Sequence, residues 1–214
     1  MRRRPGLLAI PLLACLACSR PAAQTPVPET PLDAQVAAFL QQHEFGWQDM
    51  NVPGPDGRAL FDLVVSRRLT RGLEIGTSTG HSAIWIAWGM TKTGGKLITI
   101  DIDEGRYQEA TRNFAEAGLA PYIDARLADA HDLVPRLQGP FDFVFIDADK
   151  DWYTNYARAV LPKLAVGGCL TAHNVSQGHR RQMTSDFYEF ISGLPDMETT
   201  FQAGVLVSCK RKTG

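Results

Sequence analysis

The sequence lacks several patterns that would assign it to a functional class at once. It contains neither two successive CxxC pairs nor an HExxH motif, the spacings typical of zinc sites. It has no long basic run and a formal net charge of −1, so no nucleic-acid partner is expected. It shows no internal repeat. Its 214 residues suffice for one domain with a sizeable core and are too few for two domains of ordinary size.

The apolar stretch near the N-terminus, residues 7–17, is too short to span a membrane. It follows three arginines and ends in small residues, which is typical of a signal peptide. Cys15 and Cys18 each follow a small residue, as in a bacterial lipoprotein signal, where the cysteine is lipidated. We therefore expect a signal over residues 1–18 and an exported protein, either periplasmic or anchored by lipid on one of the two cysteines. An ordinary cleaved signal, or a misassigned start codon and a cytoplasmic protein, are the alternatives.

Residues 19–31 contain four prolines and predict an extended tether, which leaves residues 32–214 as the folded domain. The two remaining cysteines, Cys169 and Cys209, lie in apolar, strand-like segments. We expect them to be buried free thiols. An exported protein could instead oxidise them if their strands are neighbours.

Strand-like and helix-like segments alternate through the body of the chain, after two helices and a loop over residues 50–57. Five strands are predicted with helices between them, over residues 72–75, 96–101, 123–127, 141–147 and 169–172. This alternation predicts an α/β fold with a parallel sheet and helices on both faces. Two further segments, 197–201 and 205–210, have no helix between them and predict a C-terminal antiparallel hairpin.

The most informative segment is Glu74-Ile75-Gly76-Thr77-Ser78-Thr79-Gly80, which joins a strand to a helix. The next strand ends in Asp101, and this unit is typical of a nucleotide-binding half of an open sheet. The spacing differs from the G-x-G-x-x-G of dinucleotide enzymes, so NAD is not favoured. An acid before the first glycine suits S-adenosylmethionine (SAM) better, because SAM carries a sulfonium and an ammonium group.

Asp129 and Asp147 end two more predicted strands, so four acidic residues are expected at one edge of the sheet, with Glu74 and Asp101. Each has a simpler explanation when taken singly: Asp101 or Asp129 could cap a helix, and Glu74 could pair with a lysine. Together they indicate a ligand site.

Four blocks of sequence resemble the cation-dependent SAM O-methyltransferases, the family that includes catechol and caffeoyl-CoA O-methyltransferases. They are residues 50–52 followed by Gly57, residues 73–82, residues 98–103 and, most specifically, residues 141–153. The similarity runs from about Trp47 to the C-terminus. It implies a Rossmann-like class I methyltransferase fold, SAM as cofactor, a divalent cation such as Mg²⁺, Mn²⁺ or Zn²⁺, a small acceptor such as a catechol, and a homodimer.

Residue roles follow from the resemblance by position. The residues implied at the cofactor are Asn51, Val52, Glu74, Gly76, Ser82, Asp101, Asp129, Ala130 and Asp147. Lys150 corresponds to the family's general base; a surface lysine paired with Asp149 or Asp151 is the alternative. Asp147 would also be a metal ligand, together with the pair after the fifth strand.

That pair departs from the family, which usually has Asp-Asn where this chain has His173-Asn174. Replacing a carboxylate by imidazole favours softer ions such as Mn²⁺, Fe²⁺ or Zn²⁺ over Mg²⁺. The metal ligands would then be Asp147, His173 and Asn174. Alternatively the site binds no metal and His173 is itself the catalytic base.

The leading hypothesis is a SAM-dependent O-methyltransferase. Export conflicts with it, because SAM is made in the cytosol. An exported SAM- or nucleoside-binding protein that has lost catalysis is one alternative, and an anchored interaction protein that uses the fold as a scaffold is another.

Overall fold

The structure is a computed structural model that describes residues 30–44, 46–47, 50–176 and 182–211. The predicted signal, with Cys15 and Cys18, lies outside the described residues, as does all of the predicted tether except its last two residues. No described helix combines the length and the apolar character needed to cross a bilayer.

In the part of the chain that the structure describes, seven strands, numbered in chain order, form one sheet in the order β3–β2–β1–β4–β5–β7–β6. The parallel strands are β1 (Arg71–Ile75), β2 (Lys96–Asp101), β3 (Ile123–Leu127), β4 (Phe141–Ile146) and β5 (Leu164–His173). The last two, β6 (Met197–Gln202) and β7 (Val205–Lys210), form a hairpin whose β7 pairs antiparallel with β5. The predicted mostly parallel α/β sheet with a C-terminal hairpin is therefore confirmed.

The described residues form seven α-helices around the sheet: α1 (Pro31–Gln42), α2 (Gly54–Arg67), α3 (His81–Thr93), α4 (Glu104–Glu116), α5 (Ala130–Leu133), α6 (Tyr153–Val160) and α7 (Gln182–Ser192). Helix α1 begins inside the predicted tether. The Thr30 hydroxyl accepts a hydrogen bond from the Asp33 amide, and the Asp33 carboxylate accepts one from the Thr30 amide. This reciprocal cap stabilises the first turn, and α1 begins one residue before the predicted start of the folded domain at residue 32.

Helix α2 begins at Gly54, so the loop predicted over residues 50–57 is wrong for its last four residues. Pro55 and the neighbouring glycines suggested a loop. Proline is nevertheless compatible with the first turn of a helix, where its missing N–H would have no partner. The consequence for the site is that Asp56 stands on a helix rather than on a loop.

The core has two parts, one on each face of the sheet. In β4, Phe143 and Phe145 pack with residues of α1, α2 and α3, whereas Val144 and Ile146 pack on the opposite face with residues of α6 and α7. All four side chains are fully buried, and each contributes roughly 1.5–3 kcal/mol to stability. Burial on both faces explains why residues 143–146 of β4 are all apolar.

Cys169 and Cys209 are joined by a disulfide, so the expectation of free thiols is wrong. The two residues face each other across the β5–β7 pair, with Cα atoms 4.0 Å apart. The sequence did not reveal which strands are neighbours, and this pairing alone brings the two sulfur atoms together.

Candidate active site

A cavity of about 780 Å³ opens at the carboxyl ends of the parallel strands. It lies where the strand order reverses between β1 and β4, the usual ligand position in an open α/β sheet. Nine of the predicted site residues line it: Asn51, Gly76, Asp101, Asp129, Ala130, Asp147, Lys150, His173 and Asn174. Val52, Glu74 and Ser82 are buried but are not part of its lining.

Gly76 forms the turn between β1 and α3 with a φ of 98°. Its amide donates to the carbonyl of Ile100 at 3.0 Å, and a Cβ at this position would lie 2.4 Å from the carbonyl oxygen of Asp147. Only glycine fits both the backbone conformation and this contact. The turn can therefore pack directly against the end of β4, which puts the floor of the cavity next to Asp147.

Asp101 presents its carboxylate to the cavity at the tip of β2. One oxygen accepts a hydrogen bond from the Ser78 amide at 2.7 Å and the other from the Asp103 amide at 2.9 Å. A carboxylate has about four acceptor positions, so the two amides fix its orientation and leave further lone pairs for ligand hydroxyls. The helix cap of α4 is Asp103, so capping does not explain Asp101.

Asp129 and Ala130 line the cavity beyond the end of β3. The Asp129 carboxylate accepts a hydrogen bond from the His131 amide at 2.8 Å and caps α5. Asp129 therefore does both: it caps a helix, as the simpler explanation proposed, and it lines the cavity. His131 stacks on Trp152 with ring centroids 3.8 Å apart, which adds an aromatic edge to this end of the cavity.

Glu74 lies completely buried two residues before Gly76. Burial raises the pKa of this carboxyl to about 8, the charges of Asp147 and Asp101 add to the effect, and hydroxyls of Thr99 and Ser82 oppose it. Within the described part of the chain, its Oε1 atom has no hydrogen-bond partner. A buried, unsatisfied carboxyl oxygen beside the glycine turn is suited to a cationic ligand group.

The segment with Asn51 and Val52 is fixed over the start of α3. The Asn51 amide donates to the Thr79 hydroxyl at 2.8 Å. His81 Nδ1 lies 2.8 Å from the Val52 carbonyl, and its Nε2 accepts from Trp85 at 3.0 Å, so Nδ1 carries the proton. Burial lowers the pKa of His81 to about 4, and this histidine is a neutral structural link.

The other end of the cavity holds a cluster of five side chains. Lys150 Nζ lies 2.6 Å from Asp147 Oδ1 and 2.7 Å from the Tyr153 hydroxyl. That hydroxyl donates to the His173 carbonyl at 3.1 Å. His173 Nδ1 lies 3.2 Å from Asp147 Oδ2, and its Nε2 lies 2.9 Å from Asp56 Oδ2. One continuous network therefore joins α2, β4, α6 and β5.

The charges in this cluster stabilise one another. Burial lowers the pKa of His173, but its hydrogen bonds to Asp147 and Asp56 and their charges outweigh it and raise the pKa to about 9. Burial alone would raise the pKa of Asp147 and of Asp56. Bonding to His173, together with Lys150 for Asp147 and the Gly204 amide for Asp56, lowers both. At neutral pH the cluster contains two carboxylates, one imidazolium and one ammonium group.

The residues of this cluster do not fit the implied metal site of Asp147, His173 and Asn174. Both ring nitrogens of His173 bond to carboxylates, and both oxygens of Asp147 bond to cations. Among the described residues, no three His, Cys, Asp or Glu side chains converge so as to hold a metal ion. The same contacts argue against His173 as a base, since neither nitrogen has a free lone pair. Asn174 lines the cavity with a φ of 54°.

Comparison with known proteins places the chain in a family. A family model described as O-methyltransferase matches residues 24–182. The chain belongs to this O-methyltransferase family. The match begins well before Trp47, where the similarity was expected to start, and it includes part of the predicted tether.

Curated members of the O-methyltransferase family resemble the chain at moderate identity. A catechol O-methyltransferase of Niastella koreensis is 36% identical over 67% of this chain. Caffeoyl-CoA O-methyltransferase 1 of Eucalyptus globulus is 32% identical over 60%. The aligned region spans 66% and 54% of the length of these relatives.

Solved structures agree with the assignment to this family. The O-methyltransferase TomG of Streptomyces achromogenes, in complex with SAM, matches with a TM-score of 0.71 and 28% identity, over 87% of this chain and 92% of that one. An O-methyltransferase of Bacillus cereus, in complex with SAH, matches with a TM-score of 0.69 and 26% identity, over 86% and 93%.

Two members of the cluster were not among the predicted site residues. Asp56 is 117 positions from His173 in the sequence, and no strand end or motif pointed to it. Tyr153 lies in the most specific family block, residues 141–153, but the resemblance assigned it no role. Their roles depend on hydrogen bonds between distant elements.

Replacing Glu74 by glutamine should change how stability depends on pH. The folded-state pKa of about 8 exceeds the usual 4.5, so the wild type loses stability as pH rises from about 4.5 to 8, by about 1.4 kcal/mol per pH unit. Glu74→Gln cannot ionise and should escape this loss. Urea unfolding at pH 5, 6, 7 and 8 measures the difference, with Glu109→Gln, an exposed site, as control. A stability difference that is the same at every pH would contradict the expectation.

Proposed function

We propose that the protein transfers a methyl group from SAM to a hydroxyl oxygen of a small acceptor, such as a catechol. The observation that supports it most is the continuity of the cavity. The same cavity is lined by Asp101 at the tip of β2 and by Asp147 and Lys150 beyond the tip of β4. A nucleoside bound at the first end would therefore direct its reactive group towards the second.

The residues present fit SAM. Asp101 is positioned to accept hydrogen bonds from both ribose hydroxyls, and the Gly76 turn lets backbone approach the ligand. Glu74 Oε1, which has no hydrogen-bond partner among the described residues, lies beside this turn, and an ammonium group bound there would favour the ionised carboxylate. When bound, SAM supplies a methyl group on a positively charged sulfur. The chain's contribution is to hold this group in line with the acceptor, because positioning provides much of the rate of a displacement at carbon.

Lys150 is the proposed proton acceptor. It contacts Asp147 and Tyr153 and still lines the cavity, so one of the three Nζ positions is left for the acceptor. In the reaction the acceptor oxygen forms a bond to the methyl carbon while the carbon–sulfur bond breaks and leaves its electrons on sulfur. Lys150 first gives one proton of its ammonium group to solvent, and the hydroxyl proton of the acceptor then passes to the lone pair that this leaves on Nζ.

Asp101→Asn should weaken SAM binding by about 10- to 100-fold, because a hydrogen bond to a charged group contributes roughly 1.5–3 kcal/mol. Isothermal titration of the purified protein with SAM and with its demethylated product measures this. Asp124→Asn, an exposed carboxylate on β3 paired with Arg126, is the control. Wild-type protein that binds neither compound would contradict the proposal. Binding without methyl transfer to any of a panel of catechols would favour the non-catalytic SAM-binding alternative.

Lys150→Met should lower kcat by about 10²- to 10⁴-fold, the usual contribution of a general base. The Kd for SAM should stay within about twofold, since Lys150 acts on the acceptor. Rates come from product formation with a catechol acceptor, and Lys96→Met, an exposed position at the start of β2, is the control. Equal losses in both variants would assign Lys150 the structural role of a surface lysine.

We also propose that the protein is exported and anchored by lipid at Cys15 or Cys18. The signal-like N-terminus supports export, and so does the Cys169–Cys209 disulfide, because such bonds persist in oxidising compartments. Detergent-phase partitioning of the expressed chain should be lost when both Cys15 and Cys18 are replaced by alanine. Unchanged partitioning would contradict the anchor. A homodimer, implied by the family resemblance, stays a prediction.

A further inference from the structure

We propose that the active site works without a divalent metal ion, because the His173 side chain, which stands where the resemblance implies a metal ligand, bridges Asp147 and Asp56 instead. The inference deepens the proposed methyl transfer and rests on it. It concerns the residue at which this chain departs from the family pattern.

Both ring nitrogens of His173 contact carboxylates. His173 Nδ1 is 3.2 Å from Asp147 and Nε2 is 2.9 Å from Asp56. A carboxylate has only acceptor atoms, so each of these contacts needs a hydrogen on the ring nitrogen. The ring bridges the two carboxylates as a cation and leaves no lone pair for a metal ion.

The balance of charge in the cluster also disfavours a divalent ion. Asp147 bonds to Lys150 through one oxygen and to His173 through the other. With Asp56, the described cluster has two negative and two positive groups. A divalent ion needs excess negative charge to repay its loss of hydration, and this cluster has none.

The Asp56 carboxylate is itself held in place by a second contact. Its Oδ1 accepts a hydrogen bond from the Gly204 amide at 2.8 Å, in the turn between β6 and β7, while Oδ2 faces His173. A Cβ at Gly204 would lie 2.5 Å from that carboxylate. The hairpin turn and α2 therefore hold Asp56 against the imidazole from two directions.

Together these contacts make Asp56 and His173 positioning residues. Asp56 orients His173, His173 fixes one oxygen of Asp147, and the other oxygen of Asp147 holds Lys150 at the cavity wall. A bound metal ion would provide the same orientation in a site that has a carboxylate in place of His173. The network thus replaces the ion's structural role with two internal cations.

Mn²⁺ binding tests the inference without any need for catalysis. The purified, EDTA-treated protein is titrated with Mn²⁺ and free Mn²⁺ is followed by electron paramagnetic resonance. We expect wild type to bind with a Kd weaker than about 1 mM, and His173→Asp to bind at least about tenfold more tightly. Equal affinities in the two proteins would overturn the inference, whether or not the protein transfers methyl groups.

A second measurement uses activity and tests the positioning roles. Methyl transfer by wild type should change by less than about twofold after EDTA treatment or on addition of Mg²⁺, Mn²⁺ or Zn²⁺. Asp56→Asn should lower kcat by about 10- to 100-fold with the Kd for SAM unchanged. Asp62→Asn, an exposed carboxylate on the same helix, is the matched control. A rate that EDTA abolishes and Mg²⁺ restores would overturn the inference while leaving methyl transfer intact.

The charge state of His173 gives a readout that a purely structural role would not change. In ¹⁵N-labelled wild type at pH 7, both ring nitrogens of His173 should show the chemical shifts of protonated nitrogens. In Asp56→Asn, the Nε2 signal should move towards the neutral form. A neutral imidazole in the wild type would contradict the bridge between the two carboxylates.

Discussion

Bringing several carboxylates to one edge of a buried sheet carries an electrostatic cost, and the site depends on how that cost is offset. The carboxyl groups offset this cost in three different ways. Asp101 binds backbone amides. Burial raises the pKa of Glu74 to about 8 and so favours its uncharged form. Asp147 lies between Lys150 and His173. The carboxylates can therefore remain together at one edge of the sheet.

The same interactions connect the site to the fold around it. His173 is the last residue of β5. Strand β7 pairs with β5 and is also joined to it by the Cys169–Cys209 disulfide. The turn before β7 supplies the amide that holds Asp56. The C-terminal hairpin is thus a structural support for the active site, although none of its described residues lines the cavity.

Much of the site could be predicted because parallel strands end at one edge. Once Glu74-Ile75-Gly76, Asp101 and Asp147 are assigned to strand ends, their proximity follows from the fold class alone. Asp56 could not be found in this way, since its contact with His173 joins a helix and a strand end far apart in the chain. The family pattern also implied metal ligands that the actual contacts do not support, because one substitution, His173, changed the charge of the site.

The sequence by itself determined the helices and strands and their order, because hydrophobic periodicity and glycine-containing turns act over short distances. Its motifs also indicated the O-methyltransferase family. Tertiary structure alone decided the partners of Cys169, of His173 and of Glu74. The state of a thiol, an imidazole or a carboxyl depends on which groups lie within a few ångströms, and distant segments supply those groups only after the chain has folded.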